Sequence, residues 1–257
     1  MRYLLSIIIG LFFGSFGNVC ILRLPADKSV IFPASHCPAC GHPLKPIHNI
    51  PVLSYLALRG RCGFCQARIS WQYPLIEALM ATLFAFHAWF FISDLRMIMA
   101  DILGFYLICI TLIDYRHRII PDELSLSMAA IGLCFSFFSP YIGGVAWMRF
   151  LKSLSAGLGG GLLMYGLGYA GEKAFKKEAL GGGDVKLVAA SGAFLGWIGI
   201  IGPLLLGSLS GGLAACILLL AKKKRFGETL PFGPFLCLGI YFTCLFPDWW
   251  LSFIYPQ

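Results

Sequence analysis

Stretches of about 20 apolar residues recur along this chain, parted by short loops that carry most of its charge. A bilayer core asks for about 20 such residues per helix. A water-soluble fold of 257 residues has no interior large enough to hide them all. Charged residues are 12% of the chain, against about 25% in soluble domains. The sequence therefore predicts an all-α polytopic membrane protein and excludes disorder and secreted disulfide scaffolds. Its 30 glycines suit helix packing in lipid, where small residues let backbones approach.

About eight transmembrane helices are expected, near 3–22, 74–93, 97–115, 123–139, 151–171, 186–202, 204–221 and 230–247. The sixth and seventh share one apolar stretch and part at Gly202-Pro203, where proline disfavours a continuous helix. The first is too long for a signal peptide and lacks an obvious small-residue cleavage site, so it counts as a span. Loops 23–73, 116–122, 172–185 and 222–229, with Lys186 at the edge of the third, then share one side and hold 16 of the 20 Lys and Arg. The positive-inside rule makes that side cytoplasmic and puts both termini outside. The net charge of +8 is thus a topology signal, and no separate basic domain exists to carry nucleic-acid binding. The division is a first transmembrane helix, 1–22, a cytoplasmic loop domain, 23–73, and a membrane core, 74–257.

The loop contains Cys37-Pro38-Ala39-Cys40 and Cys62-Gly63-Phe64-Cys65, with 21 residues between the pairs. Two Cys-x-x-Cys knuckles at this spacing can hold one zinc tetrahedrally. A segment this short and proline-rich builds no large core, and a metal staple supplies the missing folding energy. His36, His42 and His48 are then solvent-facing rather than ligands. The competing readings are disulfides, disfavoured in a reducing cytosol, and a thioredoxin-like redox pair, which wants a βαβ context.

Of the 12 acidic residues, Asp114 and Asp184 stand where a carboxylate is expensive. Asp114 closes the third span, and Asp184 opens the sixth after Gly181-Gly182-Gly183. Meeting at the cytoplasmic face, they can share one proton and activate a water between them. Gly181 and Gly183 permit close backbone approach, and Pro121 sets the entry of the fourth span. Plainer readings stand beside this one. Asp114 can pair with Arg116 or Arg118, Asp184 can cap its helix, and Asp101 can join both in the ion path of a transporter or channel. A zinc-loop scaffold without chemistry is a third class.

Read together, these blocks resemble the bacterial type IV prepilin peptidases, membrane aspartic proteases of the Gly-x-Gly-Asp class. The likeness rests on Gly14-Ser15-Phe16-Gly17-Asn18-Val19, Arg23-Leu24-Pro25, the cysteine knuckles with Asn49-Ile50-Pro51 between them, and Tyr73-Pro74-Leu75-Ile76-Glu77. It continues through Ile113-Asp114, Ile120-Pro121-Asp122-Glu123-Leu124, Gly181-Gly182-Gly183-Asp184-Val185-Lys186-Leu187 and Leu230-Pro231-Phe232-Gly233-Pro234-Phe235. Two departures are Ala179-Leu180 in place of Gly-Met, and His48 in place of an Asp. The resemblance implies an enzyme of the bacterial inner membrane, with Asp114 and Asp184 catalytic and Gly181, Gly183, Lys186, Pro121 and Asp122 supporting them. It implies cleavage of prepilins and pseudopilins after a leader ending in Gly. It also implies methylation of the new N-terminal amine by S-adenosylmethionine. No Rossmann-type cofactor pattern marks the methyl-transfer site, and the neighbourhood of Gly14 to Pro25 is where it is expected.

Overall fold

The structure is a computed structural model and describes residues 1–176, 180–222 and 230–254. Lys177, Lys223, Lys224 and Arg225, four of the loop cations counted above, and Ala179 lie outside the described residues. The described chain is helical, with two isolated bridges in place of strands. It divides into two compact units, the first from Met1 to Phe105 and the second from Tyr106 onward.

The first unit holds α1 (Arg2–Arg23), the short α2 (Leu53–Ala57), α3 (Gln72–Phe90) and the opening turns of α4 (Asp94–His117). α1 packs along α3 through glycines one turn apart. A Cβ on Gly10 would stand 2.7 Å from Ala81 Cα, and one on Gly14 2.5 Å from Glu77 Cα. Lipid offers helices no hydrophobic drive to associate, so this contact rests on van der Waals packing, which only a missing side chain allows at such range. The aromatic rings of Phe13, Phe84 and Phe105 fill the space beyond, with centroids 5.5 and 5.4 Å from Phe13. Asp101 is held here by the fully buried His87, Nδ1 to Oδ1 at 2.7 Å.

The second unit continues α4 and adds α5 (Asp122–Ser136), α6 (Ala146–Phe175), α7 (Gly182–Leu195), α8 (Ile198–Leu220), α9 (Gly233–Leu245) and α10 (Pro247–Ile254). α7 packs against α5, α6, α8 and α9, and from Leu187 it is buried almost throughout. A helix enclosed on all sides is apolar all round and shows no amphipathic stripe. Close approach again falls at glycines: a Cβ on Gly132 of α5 would lie 2.7 Å from Phe194 Cα, and one on Gly192 of α7 2.7 Å from the Ala156 carbonyl oxygen.

Each of the eight expected segments carries a helix, but among the described residues four helices are both long and apolar enough to cross a bilayer: α1 with its extension to Ala26, α3, α4 and α8. α5, α7 and α9 have 15, 14 and 13 residues, about 20 Å of helix against a hydrocarbon core of about 30 Å. The expected break at Gly202-Pro203 is corrected. The chain breaks at Gly196, whose φ of 74° ends α7, and Pro203 lies inside α8. Proline in a helix leaves the carbonyl four residues earlier without its donor. That carbonyl, Gly199, accepts the Ser191 hydroxyl from α7 at 2.6 Å. The tertiary bond satisfies the group that proline orphans, so the helix runs through.

Candidate active site and metal centre

α7 starts at Gly182 with Gly181 as its N-cap residue, so Asp184 is the third residue of the helix. From that position the carboxylate reaches back to accept the Gly181 amide, the return half of a capping box. The Asp184 amide closes the turn on the Gly181 carbonyl at 3.1 Å. The three glycines before Asp184 are not equivalent. A Cβ on Gly182 would meet nothing within 4 Å, and one on Gly181 would sit 3.4 Å from Asp184 Oδ2. One on Gly183 would be driven to 2.8 Å from Ile120 Cβ. Gly183 is what lets the segment before α5 lie against the first turn of α7.

Asp114, in the last turn of α4, is buried, and its Oδ2 accepts the Gly233 amide at 3.0 Å. Gly233 is the first residue of α9, where free amides and the helix dipole favour a negative group. A Cβ there would stand 2.7 Å from Asp114 Oδ2. The expected pairing partner Arg118 acts on Asp114 through its charge. Asp184 lies within electrostatic reach of Asp114. Cys237, one turn along α9 from Gly233, senses both carboxylates and shares a hydrogen bond with Thr111 on α4. The structure thus brings together Asp114 and Asp184, 70 positions apart in the chain. It adds Gly233, Cys237 and Thr111, which the sequence reading passed over. Only the final Gly-Pro block hinted at Gly233. Two carboxylates within electrostatic reach of each other make ionising both more costly than ionising one. Such a pair sets an acid beside a base, the equipment for adding water to a carbonyl.

Pro121 is the N-cap residue of α5, and Asp122 its first residue. Lys186 Nζ reaches both Asp122 oxygens, at 2.6 and 2.7 Å. This bridge joins the first turns of α5 and α7 on their exposed side. An exposed pair is worth about 0–1 kcal/mol, so it sets register more than stability.

In the first unit the two cysteine knuckles are folded alike. The Cys37 and Cys62 amides donate to the His42 and Ala67 carbonyls at 3.0 and 2.8 Å, and the Gly41 and Gln66 amides return to Cys37 and Cys62 at 2.8 and 3.0 Å. The residue after each second cysteine is left-handed, φ 68° at Gly41 and 59° at Gln66. The sulfurs of Cys37, Cys40, Cys62 and Cys65 all lie within 4.8 Å of one another, with Cys37 and Cys65 3.8 Å apart. A zinc with bonds of about 2.3 Å places tetrahedral sulfurs about 3.8 Å apart, so the four residues fit that ion. The Cys65 and Phe64 amides lower the Cys62 thiol to about 7. The Ala67 amide pulls Cys65 the same way, yet desolvation and the neighbouring thiols push it up to about 11. Four sulfurs this crowded become thiolates together only around a cation. His42 and His48 pack on Phe64 instead, with ring centroids at 3.7 and 5.4 Å. His36 Nδ1 lies 3.0 Å from the Ala34 carbonyl.

Comparison with known proteins follows the same division. Residues 8–91 match the Bacterial Peptidase A24 N-terminal domain, and residues 101–216 match the Type IV leader peptidase family. Among curated relatives, the prepilin leader peptidase/N-methyltransferase of Pseudomonas putida is 32% identical over 266 residues, 95% of this chain and 90% of its own length. The protein of that name from Aeromonas salmonicida is 33% identical over 283 residues, 99% of this chain and 95% of the relative. That from Myxococcus xanthus is 38% identical over 217 residues, 84% and 63% of the two chains. No solved structure matches. With both family models placed in order and relatives aligned almost end to end, the chain belongs to the prepilin leader peptidase/N-methyltransferase family.

Proposed function

We propose that this protein cleaves the leaders of prepilins and pseudopilins at the cytoplasmic face of the bacterial inner membrane, with Asp114 and Asp184 as its catalytic pair. What supports this reading is the electrostatic coupling of two carboxylates 70 positions apart in sequence, each holding one backbone amide. The ionised partner takes a proton from water, and the protonated partner donates to the scissile carbonyl oxygen. Collapse of the tetrahedral intermediate passes a proton to the leaving amine and frees the leader. Gly181, Gly183, Pro121, Asp122 and Lys186 hold the two first turns in place. The basic loops put this site on the cytoplasmic side and both termini in the periplasm.

The same protein methylates the exposed N-terminal amine with S-adenosylmethionine, as the names of its relatives suggest. Zinc on Cys37, Cys40, Cys62 and Cys65 staples the 23–73 loop. One co-expressed pilin, weighed by mass spectrometry, reads leader removal and added methyl together. Asp114→Asn and Asp184→Asn should each remove most of the cleavage, and the double variant little more, because members of a catalytic unit are not additive. Wild-type cleavage by either single variant refutes the pair.

A further inference from the structure

The first unit encloses a cavity of about 560 Å³ that the peptidase carboxylates do not touch. It lies between the second half of α1, the first turns of α3 and the cysteine loop. Its volume is within the range of about 300–1,000 Å³ typical of small-molecule sites. Ser15 and Glu77 are the lining residues that reach farthest along α1 and α3 from the loop, and Arg23, Lys28 and Arg68 line the loop end. Arg23 stands eight positions beyond Ser15 on α1, about 12 Å of helix. The cavity is therefore long, acidic at its inner end and basic at its outer end.

Glu77 is 7% exposed. Its Oε2 accepts the Val52 amide at 2.7 Å, and Ser15 supplies a second hydrogen bond. Val52, β-branched, sits at φ 61° beside that bond. Among the described residues the ion pairs are Arg2–Asp94, His87–Asp101 and Lys186–Asp122, and none involves Glu77. A carboxylate buried at a span edge without a cation is costly and marks a place for a cationic ligand. S-adenosylmethionine carries a sulfonium cation, an amino-acid end with a carboxylate and an ammonium, and an aromatic base. That pattern suits an acidic inner end, a basic mouth and a wall that includes Tyr55 and Tyr73.

We infer that this cavity is the methyl-transfer site, that it binds S-adenosylmethionine, and that Glu77 is the base for the pilin amine; the inference rests on the methyl transfer proposed above. The free amine of a cleaved pilin arrives as an ammonium. Glu77 takes one proton from it, and the freed nitrogen lone pair attacks the methyl carbon. The N–C bond forms as the C–S bond breaks, and its electron pair stays on sulfur to give a neutral thioether. The product is a methylammonium, and the proton on Glu77 leaves to water.

The test uses the full chain in detergent with a pilin peptide whose leader is already absent. Glu77→Gln keeps an acceptor for the Val52 amide and loses the base. We expect kcat for methyl transfer to fall about 100-fold or more, and KM for S-adenosylmethionine to rise as well, because the variant also loses the charge that faces the sulfonium. A kcat within threefold of wild type overturns the role of Glu77. Should the variant misfold, the wild-type protein is cross-linked to labelled S-adenosylmethionine by ultraviolet light and its peptides mapped. Label between residues 15 and 77 supports the cavity, and label confined to residues from Tyr106 onward overturns it. A wild-type protein that removes leaders yet methylates nothing overturns the methyl-transfer reading, and the cavity assignment with it.

Discussion

Alanine at Gly233 separates catalytic geometry from fold. A Cβ there would lie 2.7 Å from Asp114 Oδ2, 3.0 Å from its Cγ and 3.3 Å from its Cβ. Ordinary contact begins near 3.4 Å, so the carboxylate must retreat by about 0.7 Å. It is the end of a side chain and can do so without moving α4 or α9. The nearest atoms are those of a side chain rather than of backbone, so stability should hold. Catalysis should not. A misplacement near 1 Å costs up to about 10²-fold in rate, and the 3.0 Å amide bond to Oδ2 is disturbed as well. A loss of tenfold to 10²-fold is expected, about 1.4–2.7 kcal/mol on the barrier. Gly182→Ala is the control, since a Cβ there meets nothing within 4 Å although it lies two residues from Asp184. The assay is kcat for leader removal from a purified prepilin in detergent, with thermal melting alongside. Gly233→Ala cleaving within threefold of wild type, or Gly182→Ala losing as much, refutes the placement of Asp114 against α9.

Gly183→Ala should impair cleavage through its 2.8 Å approach to Ile120 Cβ; Ile120→Gly, which removes that atom, should restore part of the rate in the double variant, and strict additivity would refute the contact. Elemental analysis should find one zinc per chain, lost on replacing Cys62 by Ser and on lowering the pH, because protonated thiols release the metal. Methyl transfer should fall with it, and a metal-free yet ordered native loop contradicts the staple. Ser191→Ala should lower stability by about 1–3 kcal/mol, since it leaves the Gly199 carbonyl unsatisfied in a buried place. Adding Pro203→Ala supplies the missing backbone donor and should recover much of that loss in a denaturation midpoint. Equal effects of Ser191→Ala with and without Pro203 would count against the account of α8.

What the sequence disclosed and what it hid divide along a physical line. Hydropathy located a helix at each expected segment, because the cost of apolar surface in water is written residue by residue. The Cys37–Cys40 and Cys62–Cys65 knuckles were legible because each is a local turn that only has to meet one partner. Asp114 and Asp184 stood out because carboxylates are rare at span edges. The missed features all depend on groups far apart in the chain. The break moved to Gly196 because the defect at Pro203 is repaired by Ser191, twelve residues earlier on another helix. Gly233 looked like any helix-opening glycine until its amide met Asp114, 119 positions away. Nothing local in the sequence marks Cys237, and only the packing of α9 sets its sulfur where both carboxylates act on it. Glu77 read as one letter in a Tyr-Pro-x-x-Glu block, and its meaning comes from the Val52 amide across the loop. The carboxylates announced themselves by what they cost. The groups that hold them are backbone amides, present in every helix and meaningful only once the fold has chosen their neighbours.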